Sequence, residues 1–402
     1  MQKPIFLAGL KKTLAAVAVL GAFADSALAA DVQLYGIVDT GLRYLSSDMD
    51  ASFAGVGQES TDQFSMESGM ASGSRWGIKG TEDLGNGLTV GFVLENQFNS
   101  DTGANNDNDH FFRRESSLFI EGGFGKFAMG RIGSMNGGVS SWTKHGLMSA
   151  FGTSWQGFSA NADNTFGNSG IWDNSIAYET PSFAGFKVFV QYGMGTNNNE
   201  NESRSDRYYG IGASYANGPL NLYFAVDSIN YQSADLTNSP YAHGDDVKDS
   251  LTIRFGGNYD FDILKIYGGV SYFGEARLSI YSGAAGSWFT TDIGGLTAAN
   301  MKIKGWNVGL STSIPAAGGQ VLFGASYLDA EAADSMEDAS NGAYKDADIS
   351  RWIVSAGYDY PFSKRTDVYG VVTYNQDSID NVGAQDVDPS VWGVMIGLRH
   401  RF

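Results

Sequence analysis

The sequence predicts an all-β protein, a transmembrane antiparallel β-barrel of about 16 strands. Segments of roughly ten residues alternate between apolar and polar side chains, which is the length of a tilted strand that crosses a bilayer. The connections between these segments alternate between short and long. Such an alternation is typical of barrels with short periplasmic turns and long external loops. After the N-terminal residues, no run of about eighteen apolar residues predicts a membrane-spanning helix.

Residues 1–29 are predicted to be an export signal peptide, and 30–402 to form one barrel domain. Lysines near the start precede an apolar run at 14–23, which is too short to span a bilayer as a helix. Small residues follow at the spacing of a signal-peptidase site, so we expect cleavage after Ala29, with Ala30 as the alternative. A retained membrane anchor is disfavoured because the apolar run is short.

The last strand shows the pattern most clearly. Trp392, Ile396 and Phe402 share one parity, whereas Gly397 and Arg399 share the other. Successive side chains of a strand point to opposite faces, so one face is apolar with an aromatic near each end. This pattern favours a strand between lipid and an aqueous lumen over an edge strand of a soluble sheet. The predicted strands are 32–44, 75–79, 88–98, 112–122, 126–132, 174–180, 186–194, 207–216, 219–230, 249–259, 263–274, 302–313, 319–329, 349–360, 364–376 and 390–402.

Charge and motif content exclude several functional classes. A net charge of −18 disfavours nucleic acid as a partner, since its binding requires clustered cationic surface. The sequence contains no HExxH or GxSxG motif and no glycine-rich phosphate loop before a helix pattern, so neither catalytic residues nor cofactors are predicted. Runs rich in Asp and Asn in the long connections, such as 105–109, could take divalent cations that bridge to lipopolysaccharide, but ordinary solvated loop is the preferred interpretation. No run has metal-site spacing.

Basic residues on the polar parity are candidates for the wall of a pore. The candidates are Arg43, Arg75, Lys79, Arg113 and Arg131. They come from the first five predicted strands, so neighbouring strands would place them along one wall. Arg131 shares the apolar parity, but a bend at Gly130 could turn it inward. For each residue, a position at the rim with loop carboxylates as partners is the alternative.

The connection 133–173 is unusually apolar for a surface loop. We expect it to fold into the barrel and narrow the channel, with Asp163 and Asp173 facing the basic wall and setting a transverse field. Packing in a subunit interface or over the barrel mouth is the alternative. In a substrate-preferring channel, its aromatic residues would form a stacking path for sugars. These residues are Trp142, Trp155 and Trp172.

Several motifs resemble the general diffusion porins of Gram-negative bacteria, particularly the betaproteobacterial type. They cover the chain in order after the signal. The motifs are VQLYGIVD at 32–39, SRWGIKGTEDLGNG at 74–87, GFG at 123–125, GR at 130–131, DNSI at 173–176, SKRT at 363–366 and the terminal Phe402.

The resemblance implies a sixteen-stranded homotrimer in the outer membrane whose third external loop folds into the pore. It implies passive diffusion of small hydrophilic solutes and ions, with a channel that prefers sugars or organic anions as the alternative. Arg75 and Arg131 match basic constriction positions of the family, and Phe402 matches the residue that the outer-membrane assembly machinery reads. Ile171 and Ala177 occupy places where relatives often carry Arg, which implies a weaker anion preference.

Overall fold

The polypeptide forms a closed antiparallel β-barrel in the computed structural model. The expected signal peptide, residues 1–29, lies outside the described residues. The structure describes residues 31–51, 59–137, 139–155, 159–195, 206–231, 248–277, 292–293, 296–297, 302–335, 346–381 and 386–402.

The described elements follow in chain order. The first strands are β1 (Asp31–Ala51), β2 (Glu59–Ser68), β3 (Arg75–Gly85), β4 (Leu88–Gln97), β5 (Glu115–Gly122), β6 (Gly125–Gly133), β7 (Ile171–Glu179), β8 (Phe186–Gly193), β9 (Arg207–Asn217) and β10 (Leu220–Asn230). The remaining strands are β11 (Leu251–Asp260), β12 (Lys265–Arg277), β13 (Asp292–Ile293), β14 (Leu296–Thr297), β15 (Lys302–Ala316), β16 (Gly319–Ala332), β17 (Asp348–Pro361), β18 (Thr366–Asp380) and β19 (Val387–Arg401). A 3₁₀ helix (His145–Met148) and the short helix α1 (Ala162–Phe166) lie between β6 and β7.

Strand pairing closes the barrel between its first and last strands. From β3 to β12 and from β15 to β19 each strand pairs with the next along the chain, β12 pairs with β15, and β1 pairs with β19 from Ile37↔Arg401 onwards. The first part of β1 pairs with β3 and its second part with β2, so these two strands are halves of one interrupted strand. The small hairpin of β13 and β14 stands apart. In the described part of the chain the barrel therefore has 16 strand positions, which confirms the predicted fold class.

Alternation along the strands separates the two faces as predicted. On β19, Ile396 and Leu398 are 57% and 53% exposed, whereas Met395 is buried inside the barrel. Trp392 and Phe402 are exposed on the same face near its two ends. The outer face is therefore apolar with aromatic residues at both borders, which suits contact with lipid.

The sequence predicts no strand between residues 44 and 75, and this part of the prediction is wrong. The first strand continues to Ala51, and β2 returns beside it with the register Thr40↔Ser68 to Met49↔Glu59. The sequence of β2 is mostly polar and has no clear apolar period, because this hairpin needs only backbone pairing where neither face is buried in a core.

The connection between β6 and β7 is the one whose structure bears on function. Asn161 caps α1 by accepting a hydrogen bond from the Asn164 backbone N–H at 2.8 Å.

None of the helices among the described residues has the length and apolar character to cross a membrane.

Candidate functional site

The described residues of 134–170, here called the inner segment, pack against the inside of the barrel wall. Met148 belongs to a buried apolar cluster that includes Tyr223 of β10, and Phe151 belongs to another that includes Leu322 of β16 and Met395 of β19. The apolar side chains that looked unsuitable for a surface loop are buried in these contacts, which explains the composition of this connection.

Polar groups on the wall also bond to the inner segment. Each contact joins a lumen-facing side chain to a backbone group of the segment, so the bonds do not depend on the segment's own side chains. The contacts are Glu115 with the N–H of Ser141 at 2.8 Å, Asn258 with the carbonyl of Leu147 at 2.9 Å, Ser311 with the N–H of Ala150 at 2.9 Å, and Ser355 with the N–H of Ala160 at 2.9 Å. Backbone groups buried inside the barrel are thereby satisfied.

Three of the predicted basic residues lie on the lumen-facing side of neighbouring strands. Arg43 of β1 forms an ion pair with Glu67 at 2.5 Å. Lys79 of β3 lies over the ring of Tyr35, with its nitrogen 5.1 Å from the ring centroid. Lys79 is exposed on this lumen-facing side.

Arg75 is the third residue of this group. Its guanidinium donates to the Ser72 hydroxyl at 3.2 Å and to the Gly73 carbonyl at 3.1 Å, and it lies 3.6 Å from Glu95. Arg114, which the sequence reasoning missed, forms an ion pair with the same Glu95 at 2.5 Å. Two arginines therefore share one carboxylate. The predicted strand 112–122 places Arg114 on the apolar parity, but β5 begins only at Glu115, so that parity does not apply to Arg114.

Arg131 does not share the lumen with Arg75. The extra residue at the β6–β7 pairing lies in β7, where Asn174 has a φ of 50°, so β6 keeps its parity through Gly130. Arg131 therefore stays on the outer face with the exposed Met129, and the bend expected at Gly130 does not turn it inward. Its guanidinium pairs with Asp173.

Arg113 lies near Arg131 at the rim. Its carbonyl accepts a hydrogen bond from Arg131 Nε at 2.8 Å, and its own guanidinium donates to Gln97 at 2.9 Å and lies 3.7 Å from Asp107. This placement matches the alternative of a rim residue paired with a loop carboxylate. Burial lowers the pKa of Arg113, while Asp107 opposes that shift.

The two predicted acidic residues have local partners. Asp163 on α1 accepts a hydrogen bond from His145 Nε2 at 2.6 Å and from Asn168 at 2.9 Å. Asp173 contacts Arg131 and lies 3.2 Å from His110. Asp173 is thus placed against a basic residue at the wall rather than across the lumen from one.

Further ion pairs line the lumen. They lie on the inward parity of their strands, which is the only sequence signal that identifies them. The pairs are Lys187 with Glu179 at 2.5 Å, Arg254 with Asp227 at 3.2 Å, Arg351 with Asp377 at 2.5 Å, and Arg399 with Asp367 at 2.9 Å.

Lys144 of the inner segment lies 3.9 Å from Glu179. Burial lowers the pKa of the Lys144 ammonium from its ordinary value, and Glu179 partly opposes this shift. The charge of this lysine is therefore more sensitive to alkaline pH than that of a solvated lysine.

The tryptophans do not form a stacking path for sugars. Trp142, Trp155 and Trp172 are 4%, 6% and 6% exposed. Trp172 stacks on Tyr208 with ring centroids 5.4 Å apart, and Trp155 meets the edge of another aromatic ring. A sugar needs an open ring face, so this expectation is wrong. In the described part of the chain, no group of three or more His, Asp or Glu residues is placed to hold a metal ion.

Comparison with known proteins identifies relatives along nearly the whole chain. The chain is 29% identical to an outer membrane porin protein of Bordetella pertussis over 421 residues, covering 98% of this chain and 100% of the relative. It is 29% identical to outer membrane porin protein 32 of Delftia acidovorans over 407 residues, with the same coverage. The fold is similar to that of an anion-selective porin from Comamonas acidovorans, with a TM-score of 0.63, 24% identity, and coverage of 93% of this chain and 100% of that one. The model of the Gram-negative porin family matches residues 15–380, and the chain therefore belongs to this family.

Proposed function

We propose that the chain forms a water-filled channel for passive diffusion of small hydrophilic solutes and ions, and that the inner segment narrows this channel. The observation that supports the constriction is the reach of the inner segment. It is bonded to Glu115 on β5 at one end and to Ser355 on β17 further along. A segment held between such distant strands occupies part of the barrel cross-section and leaves a narrower passage for water.

Selectivity is proposed to be weak. Arg43, Arg75 and Lys79, together with Arg114, supply positive charge on one side of the passage, but Glu67 and Glu95 lie within ion-pair distance of three of them. Permeating ions respond to the net field of the lining groups. Most basic side chains of this lining have a carboxylate neighbour. The lining therefore discriminates little between permeating cations and permeating anions.

The test is conductance in planar lipid bilayers. We expect stepwise insertion of open channels, a current that rises linearly with KCl concentration, and a small reversal potential under a salt gradient. A correctly folded barrel that leaves the bilayer electrically silent would refute the channel. A saturating current in KCl would refute free diffusion.

A preference for organic anions is the second candidate. Two lysines flank the Glu179 carboxylate, Lys187 at 2.5 Å and Lys144 at 3.9 Å, and Lys126 of β6 is the cross-strand partner of Glu179 in the β6–β7 register. The solved Comamonas acidovorans relative is anion-selective. Block of the KCl current by millimolar succinate, with saturation, would favour this candidate, whereas a current that is unchanged favours free diffusion.

A homotrimer is proposed from the resemblance and from the outer face of β6 and β7. Arg131 and Asp173 are charged groups on that face near the rim, where an arginine facing lipid costs up to about 1 kcal/mol. Contact with a second copy would remove that cost. Light scattering of the detergent-solubilised protein would measure the subunit number, and a monomer would contradict the proposal. We further propose that residues 1–29 are cleaved during export and that the outer-membrane assembly machinery recognises Phe402. Contact with lipopolysaccharide is proposed for the assembled barrel.

A further inference from the structure

The inner segment has an entering arm, which follows β6, and a leaving arm, which precedes β7. Both arms form hydrogen bonds with one buried carboxylate. Asp227 lies on the lumen-facing side of β10 and is 3% exposed. Its Oδ2 atom accepts hydrogen bonds from Asn136 in the entering arm and from Ser169 Oγ in the leaving arm, the latter at 2.8 Å. A single oxygen atom therefore joins the two ends of the segment.

Arg254 of β11 completes the arrangement. It is fully buried, and its Nη1 lies 3.2 Å from Asp227 Oδ2. Its Nε donates at 2.8 Å to the carbonyl of Phe166, the last residue of α1. Nη1 also lies 3.4 Å from Ser169 Oγ. The guanidinium thus binds the barrel wall and the leaving arm at the same time.

The entering arm has a second bond to the wall. Tyr223 of β10 is fully buried, and its hydroxyl donates to Asn136 Oδ1 at 2.7 Å. β10 therefore binds both polar atoms of the Asn136 amide: Tyr223 donates to its oxygen, and Asp227 accepts from its nitrogen. Such a geometry fixes the orientation of the amide and the place where the arm leaves the wall.

Buried charges make this arrangement a strong constraint. A buried ion pair contributes stability only when further hydrogen bonds satisfy its remaining donors and acceptors. Here Asn136, Ser169 and the Phe166 carbonyl supply such bonds, and all three belong to the inner segment. Moving the segment off the wall would leave the pair without these partners, so the pair and the segment stabilise each other.

We infer that Asp227 and Arg254 are positioning residues that clasp the base of the inner segment and thereby determine its position in the channel. The consequence for conductance depends on the proposed function, whereas the clasp itself does not. Without the clasp, the two arms separate from β10 and β11, the segment samples positions away from the wall, and the open-channel current becomes noisier with closure at lower voltage.

Thiol labelling tests the clasp without relying on conduction. The chain contains no cysteine, so Ala162→Cys places one thiol on α1, where the native side chain is fully buried. In detergent-solubilised protein, Asp227→Asn should raise the rate of labelling by a water-soluble maleimide about tenfold, as expected for loss of one buried charge-assisted hydrogen bond.

Asp377→Asn is the matched control. Asp377 is also 3% exposed and also pairs with an arginine, but the pair joins the strands β17 and β18 at 2.5 and 2.9 Å. We expect labelling within about twofold of the parent protein, well below the tenfold expected from the clasp variant. Equal rates in the two variants would overturn the inference, because general loosening of the barrel would then explain the result.

A second variant keeps the test valid if Asp227→Asn does not fold. Asn136→Ala with Ser169→Ala removes the two side-chain hydrogen bonds from the segment to Asp227 and leaves the wall residues unchanged, and it should also raise labelling. Unchanged labelling in this folded variant would overturn the inference. In bilayers, either clasp variant should show more current noise and a lower closure voltage than Asp377→Asn. If labelling differs as expected but every form is electrically silent, the channel proposal fails and the clasp remains.

Discussion

Arg75 and Arg131 belong to the same predicted group but lie in different environments. Arg75 faces the lumen, 3.6 Å from a carboxylate that Arg114 also contacts, so this cluster keeps an excess positive charge. Arg131 lies on the outer face, and its charge is compensated by Asp173. The parity of a strand thus decides whether an arginine acts on permeating ions.

Arg75→Gln should shift the channel toward cations. Removing one charge about 8 Å from an ion in water changes its energy by about 0.5 kcal/mol, which corresponds to about a twofold change in the permeability ratio. The reversal potential under a KCl gradient measures this ratio. Arg131→Gln is the control, for which we expect no shift. A larger shift from Arg131→Gln than from Arg75→Gln would contradict the assignment of faces.

Lys144 should make selectivity depend on alkaline pH. A lysine is charged below its pKa, and burial lowers the pKa of Lys144, so its charge is lost at a lower pH than that of a solvated lysine. As pH rises from 7 to about 10, still below the ordinary lysine pKa, anion permeability should fall. Reversal potentials measured across this range check the prediction. Lys144→Gln should remove most of the change, and an unaltered pH profile in that variant would show that other groups cause it.

At the scale of elements, glycines make room for the inner segment on the wall. A Cβ atom at Gly269 of β12 would lie 2.7 Å from the Met148 sulfur, and one at Gly309 of β15 would lie 2.7 Å from a methyl carbon of Thr165. Both distances are shorter than van der Waals contact. The close approach of the segment to these two strands therefore requires the absence of a side chain.

Gly309→Val should displace α1 from the wall and change the single-channel conductance. Overpacking of a close contact costs about 1–3 kcal/mol, enough to move a segment held by a few hydrogen bonds. Gly274→Val is the matched control, since a Cβ there has only the Tyr272 hydroxyl within reach, at 3.9 Å. Equal conductance in the parent, Gly309→Val and Gly274→Val would mean that this contact does not position the segment.

At the scale of the whole molecule, the pairing of β1 with β19, here called the seam, closes the barrel. The register runs from Ile37↔Arg401 to Ala51↔Val387, and the backbone of Phe402 exchanges two hydrogen bonds of 3.0 Å with Gly36. The Phe402 ring lies against Gly36 on the outer face. As a Gram-negative porin, the chain resides in the outer membrane and crosses it many times, and this seam pairs β1 with β19 so that these two strands present no open edge to lipid.

Deletion of Phe402 should destabilise the closed barrel. It removes two backbone hydrogen bonds, each contributing about 0.5–1.5 kcal/mol, together with the contact of the ring. Urea unfolding of the refolded protein in detergent measures the loss. Phe402→Leu keeps the backbone bonds and should unfold near the parent. If the deletion variant is as stable as the parent in vitro but fails to reach the membrane in cells, the residue acts in assembly rather than in closure.

The predictions made from sequence succeeded where they depended on local periodicity. The alternation on β19 correctly separated lipid-facing from lumen-facing side chains, and most predicted strand ends lie within a few residues of the observed ones. Prediction failed for β2, whose polar residues carry no apolar period, and for Arg131, because the extra residue of the β6–β7 pairing lies in the partner strand. The sequence next to β2 contains no signal of its pairing with β1, and the sequence next to Arg131 contains no signal of the extra residue in β7.

The sequence alone determined the barrel and the face on which most side chains lie, because a strand's period of two is a local property of the backbone. Only the tertiary structure decided which lumen charges are neutralised and what holds the inner segment. Asp227 binds Asn136 and Ser169, and Arg254 binds the carbonyl of Phe166, across strands that are distant in the chain. Closure of the barrel brings these groups within hydrogen-bond distance, which is why no local pattern predicts their pairing.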